Sequence, residues 1–207
     1  MVKKIVFQII VIASLFSCNQ SEEKKGPESD IKKDTAVTRS PAIVAKRPPI
    51  INITDTLSAK YTVLYIKDSA ANVERIGLKL AEIYGFKLAA VINKNNLKTN
   101  GQPMAWYNST KAPYFFEAGI PINKKPAKLP GNIHVKEIAV DSVVVAHFYG
   151  PYEMLNEAYD ALNDWMKDHK KKIAGKPYEI YVDDPMEKDG KMKDPYKVRT
   201  DVIFTWK

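Results

Sequence analysis

An order of predicted elements that occurs twice along the chain constrains the fold most strongly. A strand and a helix followed by further strands are predicted between residues 61 and 122, and the same order returns between 141 and 207. Strands are assigned here from alternating apolar residues and helices from apolar residues spaced three and four apart. The repeat predicts an α+β fold. Two pseudo-symmetric strand–helix–strand–strand modules form one antiparallel sheet, with two helices and a ligand cleft between them.

The first module begins with an alternating, β-rich segment over residues 61–66. Asp68 or Ser69 is a candidate helix cap, and Gly85 is predicted to end the helix. Three strands complete the half. The helix is carried by Val73, Ile76, Leu80, Ile83 and Tyr84, and the strands are predicted over 88–92, 104–107 and 114–122.

The second module is introduced by strands over 132–138 and 141–149. Gly150 and Pro151 then break the chain, and proline suits the first turn of the next helix. Trp165 lies at the border of that helix's apolar stripe. The stripe consists of Tyr152, Leu155, Tyr159, Leu162 and Met166, and the last strands are predicted over 178–182 and 194–207.

The N-terminus has the pattern of an export signal. Lys3 and Lys4 precede an apolar run from residue 5 to 16 that is too short for an ordinary membrane span. Residues 15–18 resemble a bacterial lipobox, in which Cys18 is lipidated and becomes the mature N-terminus. We therefore expect a signal peptide over 1–17, a lipidated Cys18 with a disordered tether over 18–56, and a folded domain over 57–207.

The anchor implied by Cys18 places the chain in the cell envelope. Asn19 follows the cysteine where some bacteria carry an aspartate that retains lipoproteins in the inner membrane. We expect an outer-membrane lipoprotein that faces the periplasm or the cell surface. The formal charge of +8 is scattered among acids, so we interpret it as solvation and expect no nucleic-acid partner. No obligate protein partner is evident from the sequence.

Glu179 and Tyr181 are the candidate chemical pair. Side chains alternate along a strand, so Tyr178, Ile180 and Val182 share one face and Glu179 and Tyr181 the other. A carboxylate beside an aromatic ring favours an organic cation. The alternative is that Glu179 is an exposed strand residue paired with a lysine.

The remaining chemical patterns are weak. His134, His147 and His169 lack metal-ligand spacing, and no phosphate-binding glycine loop is present. We expect neither a metal nor a cofactor. Trp106 and Tyr107 should point to opposite faces, but the sequence leaves open which ring faces the core. Tyr152, Tyr159 and Trp165 are equally consistent with core packing.

The region from about residue 57 to 207 resembles the GyrI-like small-molecule-binding domain, also called the bacterial transcription-activator effector-binding domain. No single element is specific, but five occur in the family's order. They are Gly101-Gln102-Pro103 with Trp106-Tyr107; residues 116–121 (FEAGIP); Gly150-Pro151-Tyr152 with Ala158-Tyr159 and Trp165; residues 178–181 (YEIY) with Asp184-Pro185; and Arg199-Thr200.

The resemblance implies an aromatic cleft in which a carboxylate meets cationic, lipophilic ligands. The carboxylate corresponds to Glu179, and Tyr107, Tyr152 and Trp165 correspond to aromatics in or at the edge of the pocket. The best-known members carry a DNA-binding helix-turn-helix, whereas residues 1–56 contain no such pattern. We therefore predict a lipoprotein that binds a small amphipathic, cationic molecule for sequestration, delivery or sensing. The alternative is a hydrolase of a reactive small molecule with Glu179 as general base.

Overall fold

Eight strands form one antiparallel sheet in the computed structural model, which describes residues 47–109 and 111–207. The predicted signal peptide, Cys18 and the tether up to residue 46 lie outside the described residues. The strands are β1 (Ile50–Leu57), β2 (Tyr61–Ala70), β3 (Met104–Tyr107), β4 (Tyr114–Ile122), β5 (Ile133–Ile138), β6 (Ser142–Tyr149), β7 (Tyr178–Tyr181) and β8 (Arg199–Thr205).

The helices cover one face of this sheet. Their apolar sides pack on it in two core clusters, one for each half of the chain. The third cluster lies on the other face of the sheet. The helical segments are α1 (Val73–Glu82), a π-helical turn (Ile83–Leu88), α2 (Ala89–Lys94), a 3₁₀ turn (Tyr152–Met154), α3 (Asn156–Asp168) and a second 3₁₀ turn (Pro195–Lys197).

The strand order β1-β6-β8-β7-β3-β4-β2-β5 confirms the pseudo-symmetric α+β prediction. Each half contributes three adjacent strands, β2-β4-β3 and β6-β8-β7, and the halves meet where β3 pairs with β7. The strand before each half crosses to the other half: β1 pairs with β6, and β5 pairs with β2. The two halves are therefore interlocked, because each half holds an edge strand next to the other half.

The short connection from β1 to β2 shows that the sheet is curved. Six strand spacings separate β1 from β2 in the strand order, which is roughly 29 Å in a flat sheet. The chain from Leu57 to Tyr61 reaches at most about 14 Å. The sheet must therefore curl until its edges approach. At that place Ser58 N donates to Asp141 O at 2.8 Å and Ser58 Oγ donates to Ala139 O at 3.1 Å.

The predicted end of the tether at residue 56 is wrong, because residues 50–56 belong to β1. This strand pairs with β6 along its whole length, from Ile50 opposite Tyr149 to Leu57 opposite Ser142. Its residues are mostly exposed, as is usual for an edge strand. The strand is held mainly by backbone hydrogen bonds to β6. Such bonds leave no pattern of apolar residues from which the strand could be predicted.

The predicted strand over 88–92 is also wrong, since the helix does not end at Gly85. It runs from 73 to 94, and Asn72 caps it by accepting a hydrogen bond from Arg75 N at 3.0 Å. The π-helical turn inserts one residue. This keeps Leu88 and Ile92 in the same buried cluster as Leu80 and Ile83. That burial outweighs the cost of a glycine in a helix, which is about 1 kcal/mol.

Candidate functional site

Glu179 is a buried carboxylate at the junction of the two halves. It lies on β7, between Ala105 of β3 and Val202 of β8, and only 4% of it is exposed. The predicted alternation holds, since Tyr178 and Ile180 belong to the cluster on the opposite face. Across the strand pair, Ala105 leaves room on the helix-covered face where a larger side chain would meet Glu179.

Two tyrosines donate hydrogen bonds to this carboxylate. Tyr159 Oη, from α3, donates to Glu179 Oε1 at 2.8 Å, and Tyr181 Oη donates to Oε2 at 2.8 Å. The hydroxyls of Tyr107 and Tyr181 are 3.0 Å apart. Because the Tyr181 hydrogen is directed to Glu179, Tyr107 is the donor in that contact. Tyr159 packs against the core cluster under α3, and Tyr181 packs against the cluster under α1 and α2. Each cluster therefore contributes one donor to the same carboxylate.

Two further rings flank Tyr181. The ring centroid of Tyr84 lies 6.1 Å from that of Tyr181, and the centroid of Tyr152 lies 6.2 Å away. Tyr84 Oη donates to Met104 O at 2.8 Å. Tyr152 is 50% exposed, and its hydroxyl accepts from Thr200 Oγ1 at a long 3.4 Å. Tyr152 is thus the ring of this group that faces solvent, and it lies in the turn between β6 and α3.

Burial raises the pKa of Glu179 to about 7, against the opposing effect of the hydrogen bonds from Tyr159 and Tyr181. Within the described residues no lysine, arginine or histidine forms an ion pair with it. Burial also raises the pKa of all five surrounding tyrosines, so they remain protonated donors. The ionised carboxylate is therefore hydrogen-bonded but has no cationic partner in the part of the chain that the structure describes.

The structure brings together four of the five predicted ligand residues, namely Glu179, Tyr181, Tyr107 and Tyr152. The fifth, Trp165, stacks on His169 with centroids 4.0 Å apart and lies 6.4 Å from the Trp206 ring. Its ring contacts are thus at the C-terminal end of α3 and not with the tyrosine group.

Sequence reasoning did not assign Tyr84 and Tyr159 to the site, because both fit the apolar stripes of their helices. A usable signal was present, since a buried tyrosine hydroxyl normally needs a hydrogen-bond partner. Trp106 lies on the other face of the sheet, against Tyr178 at 5.6 Å between centroids. This resolves the orientation of the Trp106–Tyr107 pair.

Two cavities in the described structure lie away from Glu179. One of about 110 Å³ opens on the opposite, concave face and is bordered by Tyr61, Tyr178 and His147. The other, of about 230 Å³, lies between Val91 and Leu129. Glu179 is thus covered, and Tyr152 is the half-exposed ring of the group around it.

Residues 47–109 and 111–207 contain no group of three or more histidine, cysteine, aspartate or glutamate side chains placed to hold a metal ion. None of their helices combines the length and apolar character needed to cross a bilayer.

The model of the GyrI-like small molecule binding domain matches residues 86–204, more than half of the chain. The chain belongs to this family. The matched range includes Glu179 and four of the five tyrosines around it, and Tyr84 lies just before it. No curated protein is significantly similar in sequence.

Solved structures share this fold. The C-terminal domain of EcmrR superposes with a TM-score of 0.64 at 20% identity, over 76% of this chain and 98% of that one. EcmrR in its complex with DNA gives 0.63 at 19% identity, but the match spans only 57% of that longer chain and 76% of this one. A hydrolase from Listeria innocua gives 0.50 at 10% identity, over 80% of this chain and 94% of that one. At these identities the similarity shows the fold alone.

Proposed function

We propose that the GyrI-like domain binds a small lipophilic organic cation between its two helices, with Glu179 as the counter-charge. The observation that carries this proposal is a buried carboxylate that has no ion-pair partner in the described structure and is surrounded by five tyrosine rings. A desolvated cation over such rings gains about 2 kcal/mol per contact. The ion pair with Glu179 adds selectivity for cations over neutral molecules of the same shape.

The deciding experiment compares two ligands of matched shape by calorimetric titration of the full chain. Phenyltrimethylammonium carries a positive charge, and tert-butylbenzene is its neutral isostere. We expect the cation to bind at least about tenfold more tightly at pH 8, equivalent to about 1.4 kcal/mol of selectivity. Glu179→Gln keeps the shape of the side chain and removes its charge, so the preference should disappear in this variant.

Asp68→Asn serves as the matched control. Asp68 is also a partly buried carboxylate, but it is ion-paired with Lys79 at 2.6 Å and lies outside the tyrosine group. Its loss should leave the cation preference unchanged. Equal binding of both ligands to the wild-type chain, or an undiminished preference in Glu179→Gln, would exclude the carboxylate as the binding determinant.

Hydrolysis is the second candidate, and the position of the Glu179 pKa near 7 favours it. A carboxylate with this pKa can take a proton from water at neutral pH. In the reaction that fits this site, water adds across an epoxide to give a diol, and Glu179 removes the water proton. Styrene oxide distinguishes the two functions. An enzyme produces diol continuously, whereas a binding protein saturates at a fixed ratio and releases the epoxide unchanged.

The proposed location is the cell envelope, with the chain anchored through lipidated Cys18. The sequence over 1–18 supports this, and the chain between Cys18 and β1 gives the domain length to move near the membrane. Metabolic labelling with an alkyne analogue of palmitate tests it, with Cys18→Ser as the control. Label in the wild-type chain and none in the variant is expected. Unlabelled wild-type protein would exclude the lipid anchor and the outer-membrane location with it.

A further inference from the structure

The cavity of about 230 Å³ lies between the end of α2 and the loop that joins β4 to β5. Val91 from the helix and Leu129 and Pro130 from the loop give it apolar walls, and Lys94 and Lys128 border it, one from each segment. An apolar cavity of about 150 Å³ is large enough to hold benzene. This cavity therefore has room for a phenyl ring and a short chain.

The two segments that form the cavity are joined by backbone hydrogen bonds close to it. Lys98 N donates to Asn123 Oδ1 at 2.9 Å, and Asn123 N donates to Lys98 O at 2.9 Å. Val91 is buried in the first core cluster, and Leu129 packs against the same cluster. The walls of the cavity therefore belong to the packed framework of the first half.

The chain around this cavity is basic and nearly free of acids. Residues 83–116 and 118–136 contain no aspartate or glutamate, and Glu117 between them is ion-paired with Lys136 at 2.8 Å. The scatter of basic residues among acids therefore stops here. Five exposed lysines lie at the end of α2 and in the loops around it, and none forms an ion pair with a residue that the structure describes: Lys94, Lys98, Lys124, Lys125 and Lys128.

The caps at the end of α2 leave the Lys94 ammonium without a structural task there. A lysine at the C-terminal end of a helix often binds the last carbonyl groups. Here the Val91 carbonyl accepts from Asn95 N at 3.1 Å and from Asn95 Nδ2 at 2.9 Å, and the Ile92 carbonyl accepts from Leu97 N at 2.9 Å. Lys94 can therefore pair with an incoming anion at no cost to the helix end.

We propose that this cavity is a binding site for a small lipophilic carboxylate. The apolar part of the ligand packs between Val91 and Leu129, and its carboxylate stays at the rim. Lysine side chains lie along apolar surface with the charged end in water, so the ammonium groups of Lys94 and Lys128 can meet the anion there. A neutral ligand of the same shape gains the apolar contact alone, and a cation is repelled.

This site is independent of the one proposed at Glu179. The cavity shares no lining residue with the group of tyrosines around that carboxylate, and it selects the opposite charge. At pH 8 Glu179 is mostly ionised, because its pKa is about 7. It then repels a carboxylate, so binding of an anion at this pH is not assigned to Glu179.

Calorimetric titration of the full chain at pH 8 with three related ligands tests the proposal. 4-Phenylbutyrate carries the ring and the carboxylate, 4-phenylbutan-1-ol is its neutral counterpart, and butyrate keeps the carboxylate without the ring. We expect phenylbutyrate to bind at least about tenfold more tightly than the alcohol, since each exposed ion pair contributes up to about fivefold. It should also exceed butyrate by at least about tenfold, because butyrate buries far less apolar area.

Two double variants separate the cavity from the basic surface around it. Lys94→Gln with Lys128→Gln should reduce the affinity for phenylbutyrate to that for the alcohol. Lys98→Gln with Lys125→Gln is the matched control, because it removes the same charge from lysines that do not line the cavity. Its effect should stay within about threefold, since salt screens charges that are not in contact with the ligand. All four lysines are exposed, and circular dichroism checks that both variants fold.

Three results would overturn the proposal. Equal affinity for phenylbutyrate and its alcohol would exclude the lysines as a binding determinant, and equal affinity for phenylbutyrate and butyrate would exclude the cavity. An equal loss in the two double variants would assign the binding to the basic surface as a whole. None of these results bears on Glu179, because the titration with phenyltrimethylammonium tests that site separately.

Discussion

Glu179 and Tyr181 lie two residues apart on the same strand, and the Tyr181 hydroxyl donates to the Glu179 carboxylate at 2.8 Å. Strand geometry places both side chains on one face, so this contact is local in sequence. The second donor, Tyr159, comes from a helix that the strand reaches only in the folded domain. The carboxylate is thus partly organised by its own strand and completed by tertiary packing.

The first prediction concerns stability and pH in Glu179→Gln. Glu179 has a pKa of about 7 in the folded state, against an ordinary value of 4.5. Between these values the folded state keeps a proton that the unfolded chain has lost, so rising pH lowers the wild-type free energy of unfolding across this window. The glutamine variant has no titrating group at this position, so its free energy of unfolding does not fall for this reason. It should therefore be more stable than wild type at pH 8, by up to about 3 kcal/mol.

Urea unfolding of both chains at pH 4 and pH 8 measures this. The advantage of the variant should shrink towards pH 4, because Glu179 is then protonated in both states. An advantage that does not change with pH would mean that Glu179 does not titrate in this window.

The second prediction concerns the affinity for phenyltrimethylammonium. The cation favours the ionised carboxylate, so affinity should rise with pH up to about 7, the pKa of Glu179, and then level off. Below that value each pH unit should weaken binding by up to about tenfold. Calorimetry between pH 5 and 9 checks this, and a flat profile in Glu179→Gln identifies the titrating group. A flat wild-type profile would contradict the prediction.

The third prediction concerns Tyr159→Phe, which removes one donor from the carboxylate. Hydrogen bonds to the ionised form lower the pKa of Glu179, so their loss should raise it further above its ordinary value. The pH at which cation affinity levels off should move upward. Tyr84→Phe is the matched control, because the Tyr84 hydroxyl donates to a backbone carbonyl. An equal shift in both variants would assign the effect to general packing.

The sequence predicted the architecture where side-chain burial carries the signal. The stripe of α3 is confirmed, since Leu155, Leu162 and Met166 are buried in one cluster. The alternation of β7 likewise placed Glu179 on the correct face. In both cases a periodic pattern is enforced by one continuous core, so local sequence reflects the tertiary environment.

The errors arose where backbone pairing or helix irregularity decided the structure. Gly85 predicts a helix end, but the buried residues on both sides hold the helix together through a π-helical turn. The site itself could be predicted only in part. Tyr159 and Tyr84 lie on helices far from Glu179 in sequence, and their roles depend on the packing of both helices on the sheet.

The fourth prediction concerns Gly119, where β4 packs closely on β2. A Cβ added there would lie 2.6 Å from Val63 Cγ1 and 2.9 Å from the backbone oxygen of Leu64. Backbone cannot move aside cheaply, so Gly119→Ala should destabilise the domain by about 1–3 kcal/mol. At Gly131 an added Cβ meets nothing within 4 Å, so Gly131→Ala should change the free energy of unfolding little. Thermal and urea unfolding of both variants test this, and equal effects would contradict it.

The last prediction tests whether β1 belongs to the folded domain. Ile51 and Ile53 point to the same face of this strand. Ile51 packs against the buried cluster that contains Leu155 and Leu162, whereas Ile53 is 40% exposed. Ile51→Ala should therefore lower the free energy of unfolding by about 1–2 kcal/mol, part of the cost of a fully buried isoleucine. Ile53→Ala should change it by less than about 0.5 kcal/mol. If residues 50–56 were a flexible tether, neither substitution would matter, so a measurable loss confined to Ile51→Ala would locate the start of the domain in β1.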